Sequence, residues 1–291
     1  MSRILIFLMV LTPLSANAFE YVTRLEDSSW RTRSSPYVCR LEHEIEGYGT
    51  GQFVHRAGES QRLNLTGQGY EFDAGKVRVY ADPPAWRPGV ASSLIGSVAP
   101  EDGEVVVKGE IATDVMAALA NGMLIGFKGR LKESNRQSFD VFLSSVGFYP
   151  AYEDFKRCED QLLPANFSQV ERSRIQYQSG GTDISAAGRL QLDHVLAYLK
   201  SDASVLQVFV DGHADNAGMP RDNVTLSETR AIRVTEYLVR NGCPAEKIVT
   251  RYHGEKYPVA SNDDPKTIAQ NRRTTVRLSR EGPSPETETG H

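Results

Sequence analysis

Apolar and polar residues alternate in two rhythms along this 291-residue chain. Between Phe19 and about Asp160, short runs of period two recur. They include Val38-Cys39-Arg40-Leu41, Gln52-Phe53-Val54, Arg62-Leu63-Asn64-Leu65 and Val77-Arg78-Val79-Tyr80, then Glu104 to Lys108 and Ser138 to Leu143. Successive strand side chains point to opposite faces, so this alternation predicts half-buried strands. Glycine clusters at 47–51 and 67–69 punctuate the runs. Two helices are expected here, Thr113 to Ala120, stopped by Asn121-Gly122, and Ala151 to Leu163. After Pro164 the rhythm changes. Ile184, Leu192, Val195, Leu196 and Leu199 fall mostly on one helical face, and Val205 to Val210 is a short apolar strand. A second amphipathic helix carries Leu226, Val234 and Leu238, and Ile248-Val249 and Thr275 to Leu278 give two further strands. The fold class is therefore α+β. A β-rich domain over 19–163 precedes a two-layer sandwich of order β-α-β-α-β-β over 164–280.

The first eighteen residues fit neither rhythm. Arg3, an apolar run from Ile4 to Leu11 and the close Ala16-Asn17-Ala18 read as an export signal cleaved before Phe19. A membrane anchor is the competing reading, but the run is too short for about 30 Å of hydrocarbon. No cysteine follows the cleavage point to carry a lipid. The expected location is the bacterial periplasm, without a membrane span. Without Arg3, 32 basic residues face 37 acidic ones, a charge of −5. That balance argues against general nucleic-acid binding. Residues 19–164 carry 16 basic and 21 acidic residues, and 165–280 carry 16 and 13. The polar tail, 281–291, is expected to be disordered. In an oxidising compartment, Cys39 and Cys158 would close a loop of over 100 residues, worth about 4–5 kcal/mol. A bridge between them, with Cys243 left single, is favoured over three free thiols.

The chemistry concentrates in Asp211-Gly212-His213-Ala214-Asp215, Asn223, Leu226 to Ala231, and Asn271-Arg272-Arg273. A strand ending at Asp211, a polar loop holding Asp215, and a helix beginning near Leu226 would gather a carboxylate, an amide and the Arg230 guanidinium. Such a set suits a small zwitterion. The guanidinium fork takes a carboxylate, Asp215 takes an ammonium, and the helix start adds positive potential. The plain alternative is that Asp215 and Arg230 pair only with each other.

These residues resemble the OmpA-like peptidoglycan-binding domain, whose motif runs GHTD, then NxxLSxxRA, then NRR. Here they stand as Gly212-His213-Ala214-Asp215, Asn223 with Leu226-Ser227 and Arg230-Ala231, and Asn271-Arg272-Arg273. The resemblance implies that Asp215 and Arg230 hold the diaminopimelate end of a peptidoglycan stem peptide, with Asn223 and Arg272 beside them. Ala214 replaces the usual Thr, at the cost of one hydroxyl contact. Tyr252-His253-Gly254 alters the family's Tyr-Gly turn, a change expected to be structural. The first half resembles the MotY N-terminal domain through Cys39 to Ile45, Phe53, Arg56-Ala57, Pro83 to Gly89, and Leu143 to Val146 followed by Cys158. That family implies a T-ring component of the flagellar motor. Its N-terminal domain would dock on the basal body and help recruit stator proteins, with MotX a candidate partner. It also implies the Cys39–Cys158 disulfide.

Other chemistry finds little support. His213 lies between Asp211 and Asp215, but a calcium loop would want Gly at Asn216 and Glu at Asp222. No metal and no cofactor are expected. No nucleophile motif appears, and no two carboxylates stand out as a glycosidase pair. The six histidines are expected on strand or loop surfaces. Trp86, held between Pro83-Pro84 and Pro88-Gly89, either packs its turn or makes a docking contact. Three function classes follow: a wall-anchored flagellar motor component, an OmpA-like tether of another envelope assembly, and a wall-remodelling enzyme.

Overall fold

The structure is a computed structural model that describes residues 19–264 and 266–281. The expected export signal and residues 282–291 of the tail lie outside the described residues. The chain divides into two compact units, one ending at Asp160 and one beginning at Gln161. The division falls before Pro164 because the last helix of the first unit stops at Glu159 and not at Leu163. Arg56–Glu59 belongs to the second unit. There Asn166 Nδ2 donates to Ala57 O (3.2 Å) and Gln169 Nε2 donates to Gly58 O (2.9 Å).

The first unit runs β1 (Phe19–Tyr21), β2 (Trp30–Ser35), β3 (Val38–Ile45), β4 (Gly49–Arg56), β5 (Arg62–Gly67), β6 (Val77–Asp82), β7 (Ser93–Val98) and β8 (Val105–Lys108). Helix α1 (Gly109–Ala120), β9 (Leu124–Leu131), β10 (Ser134–Leu143) and α2 (Phe148–Glu159) complete it. The strands form two five-stranded sheets, ordered β1-β10-β9-β6-β7 and β2-β3-β4-β5-β8. Their side chains meet in an aromatic core. Phe139 packs on Phe72 and Tyr48, and Trp30 stacks on His43 while its Nε1 donates to Ser144 O (2.7 Å). His43 is fully buried there, not on a surface. Gly49 and Gly51 lie inside β4, where a turn was expected. A Cβ on Gly51 would sit 2.3 Å from a Leu143 methyl carbon, so the glycine lets that side chain close onto the strand. Cys39 and Cys158 form a disulfide that ties β3 to α2.

The second unit runs α3 (Phe167–Val170), β11 (Arg172–Gln176), α4 (Ala186–Ser201), β12 (Gln207–His213), α5 (Pro220–Arg240), β13 (Ile248–Tyr252) and β14 (Arg273–Ser279). Its single sheet has the order β11-β14-β12-β13, parallel only between β12 and β13. Ile175, Val208, Val210 and Val276 are fully buried on the face that meets α4 and α5. This is the expected two-layer sandwich. Cys243 is the free thiol, and burial raises its pKa. Among the described residues, no helix is long and apolar enough to cross a membrane.

Candidate functional site

The site is built where α5 crosses the end of β12. A Cβ on Gly212 would lie 2.1 Å from Ser227 O, so the missing side chain lets helix and strand touch. Ser227 then pins the neighbouring turn. Its hydroxyl accepts from Gly254 N (2.9 Å) and donates to Val224 O (2.7 Å). Gly254 O accepts from Ala214 N (2.8 Å), and Gly212 O accepts from His253 N (3.0 Å). The loop that carries Asp215 thus leaves β12 from a fixed frame. His253 also stacks on His213, with ring centroids 5.1 Å apart, and meets Asp211 Oδ1 at 3.1 Å.

Helix α5 begins at Pro220, not near Leu226. Arg230 therefore lies almost three turns inside it. The inward stripe reads Asn223, Ser227, Arg230, Ala231, Val234 and Leu238. Its first three members are polar, which hides the helix start from any apolar periodicity.

Arg230 is fully buried. Its Nε donates to Gly181 O (2.8 Å), Nη1 to His213 O (3.0 Å) and Nη2 to Gln178 O (3.4 Å). The guanidinium lies 4.7 Å from the Tyr177 ring centroid. These bonds use three of its five N–H groups. Burial lowers its pKa, against the opposing pull of Tyr177 and Asp215. Asp215, which the plain alternative pairs with Arg230, is held instead by Arg272, whose Nη1 donates to Asp215 Oδ2 (2.9 Å). A simple Asp215–Arg230 ion pair is thereby excluded. Among the described residues, Asp215 Oδ1 receives only a long contact from Ala217 N (3.4 Å).

Asp215 and Asn223 line one cleft of about 490 Å³, together with Gly180, Asp222, Thr225 and Thr229. Asn223 Nδ2 donates to Glu255 Oε2 (2.6 Å). Among the described residues no side chain caps the start of α5, so the N–H groups of Arg221 and Asp222 remain open to a ligand. Ala214 is buried at 3% exposure. Its N donates to Gly254 O (2.8 Å). The cleft offers a carboxylate, an amide and helix-end N–H groups, with Arg230 and Arg272 behind them. Among the described residues, no group of three or more His, Cys, Asp or Glu side chains could hold a metal ion.

The Asn-Arg-Arg run divides its work in a way the sequence did not reveal. Asn271, fully buried, accepts from Val259 N and Ala260 N and donates to Ala260 O. Arg272 takes Asp215, and Arg273 Nη2 donates to Tyr257 O (3.0 Å). Tyr177 and Glu255 also escaped the sequence reading, since neither has a distinctive neighbour.

The MotY N-terminal domain profile matches residues 21–164, and the OmpA family profile matches residues 176–272. The chain joins a MotY N-terminal domain to an OmpA domain. Across both, it is 28% identical over 287 residues to the sodium-type flagellar protein MotY of Vibrio parahaemolyticus. That alignment covers 93% of this chain and 96% of the relative. The OmpA domain is 32% identical over 109 residues to the peptidoglycan-associated lipoprotein of Rhizobium meliloti, covering 38% of this chain and 61% of that protein. Among solved structures, the peptidoglycan-associated lipoprotein of Burkholderia pseudomallei is 24% identical with a TM-score of 0.35, covering 36% of this chain and 89% of that one. The C-terminal domain of Helicobacter pylori MotB gives 18% identity and a TM-score of 0.35, covering 37% and 84%. The curated relatives are flagellar and peptidoglycan-binding proteins, not enzymes.

Proposed function

We propose that this protein is a periplasmic component of the flagellar motor that grips peptidoglycan through its OmpA domain. The MotY N-terminal domain docks on the basal body as part of a T ring and helps recruit and hold stator units, with MotX a candidate partner. The observation that carries the wall-binding part is the Asp215 cleft. An ammonium group of a diaminopimelate stem peptide sits against Asp215 Oδ1, which has only the long Ala217 contact. Its carboxylate meets the uncapped start of α5, beside Asn223. Arg230 and Arg272 set the shape and potential of the cleft from behind. The flagellar part is supported by similarity along nearly the whole length of a MotY relative. Trp86, 52% exposed on its proline-stiffened turn, fits a docking contact better than a packing role.

The test is a strain lacking the gene, complemented with the wild type or with Asp215→Asn. Filaments should form without it while swimming is lost or weakened. The wild type should restore swimming, and folded, exported Asp215→Asn should not. Normal swimming in the deletion strain would exclude the motor reading. Full rescue by Asp215→Asn would exclude the cleft.

A further inference from the structure

The second unit has another site, on the sheet face turned away from α4 and α5. Strand alternation places Arg172 and Arg174 of β11, Arg273, Thr275 and Arg277 of β14, and Asp211 of β12 on that face. They line a concavity of about 640 Å³ to which Arg251 also contributes, and Gln191 of α4 reaches its rim. Five arginines there face a single carboxylate, Asp211.

Asp211 is already committed. Arg251 holds it bidentately, Nε to Oδ1 at 2.6 Å and Nη2 to Oδ2 at 3.0 Å. Arg273 spends its Nη groups on main-chain carbonyls. Among the described residues, Arg172, Arg174 and Arg277 have no carboxylate within ion-pair distance. Arg172 and Arg277 are direct cross-strand partners, an arrangement in which like charges destabilise a sheet. The repulsion reaches further, because the charge on Arg174 lowers the Arg273 pKa in the same direction as burial does. Arg277 is stacked over Phe209 at 4.1 Å, which fixes its fork rather than leaving it to swing free. A row of unpaired, partly immobilised guanidiniums is costly in the free protein. An anion laid across them relieves that cost.

We propose that this arginine face docks an acidic polypeptide segment of a partner protein, with carboxylates held by Arg172, Arg174 and Arg277. The charges spread over neighbouring strands at strand spacing, about 4.8 Å apart across the sheet and about 7 Å along it. That matches successive acidic side chains of an extended peptide better than one small anion. Of the residues lining the concavity, only Val259 is apolar, which speaks against insertion into a lipid surface. The net charge of −4 speaks against a nucleic acid. This face is separate from the Asp215 cleft, and the proposal goes beyond the wall-binding reading.

The full mature chain should be titrated into a fluorescent peptide of alternating Glu and Ser, read by anisotropy. Wild type should bind at low salt and release the peptide in about 1 M salt, where the Debye length is about 3 Å. Arg172→Glu with Arg174→Glu should weaken binding at least about tenfold. Arg172→Gln with Arg174→Gln should lose less, in the same direction. Both positions are exposed, so the variants should fold, checked by circular dichroism. The charge-reversed variant should still sediment with purified sacculi, while Asp215→Asn should bind the peptide normally. No binding by wild type, equal binding by the charge-reversed variant, or tighter binding of phosphatidylglycerol vesicles or an oligonucleotide would each overturn the proposal.

Discussion

Arg230 is the largest fully buried side chain among the described residues. Its position gives it a structural task beside any ligand contact. Three main-chain carbonyls depend on it, and those of Gly181 and His213 flank the cleft loops. Removing it should strip the Gly181 and His213 carbonyls of the bonds it donates, while Gln178 O keeps Gly181 N at 3.0 Å. We expect Arg230→Ala to lower unfolding free energy by about 3–5 kcal/mol, read by urea denaturation. Asp215→Asn keeps the side-chain shape and is the cleaner probe of binding. His213 makes a second prediction at this scale. Burial, then Arg273 and His253, lower its pKa to about 4, and its Nδ1 has no hydrogen-bond partner. The unfolded chain, with a His pKa near 6.5, therefore binds more protons between these values. The contribution to stability is complete above about pH 6.5 and is lost as the pH falls towards 4, by up to about 3 kcal/mol. His43, also lowered by burial, adds to the slope. His213→Gln should flatten the slope without abolishing it, as followed by urea midpoints across that range.

At the scale of elements, the close crossing of α5 over β12 is the decisive contact. Gly212→Ala forces a methyl group against Ser227 O and the Ala231 Cβ, 3.1 Å away. Neither can yield without moving the helix. The expected result is a loss of at least about 2–3 kcal/mol together with sacculus binding, since Ser227 and Arg230 shift together. Wild-type thermal stability in that variant would refute this. The elements themselves were unevenly legible. β3, β5, β6 and β10 announce themselves by alternation, and Asn121-Gly122 marks the end of α1. β2 hides because only Trp30 in its run is buried. β9 hides because Gly126 and Gly129 break its rhythm, each making room for aromatic side chains from neighbouring segments. β7 hides because it is an edge strand whose Ser93 and Leu94 face solvent. In the candidate site, the OmpA-like resemblance singled out Asp215, Asn223, Arg230 and Arg272, and the structure brings them together at the end of β12. The resemblance did not show which arginine takes the carboxylate, because that depends on how far along α5 the buried stripe begins.

At the scale of the molecule, the two rhythms in the sequence correspond to two units with opposite charge balance. Residues 19–164 carry an acidic excess and 165–280 a basic one. The basic excess in the second unit gathers on the arginine face, whose lining shares no residue with the Asp215 cleft, so the proposed wall contact and the arginine face should respond independently to mutation. The Cys39–Cys158 bridge has a consequence of another kind. It joins residues 119 apart in sequence within the first unit. Fully extended, that stretch would span about 400 Å. A pull along the chain bypasses it through a single covalent link, so the unit can lose its sheets without lengthening by that amount. In the proposed role, between the motor and the wall, this limits how far the tether can pay out under torque. Single-molecule pulling should find that length missing from the unfolding trace, and reductant should restore it.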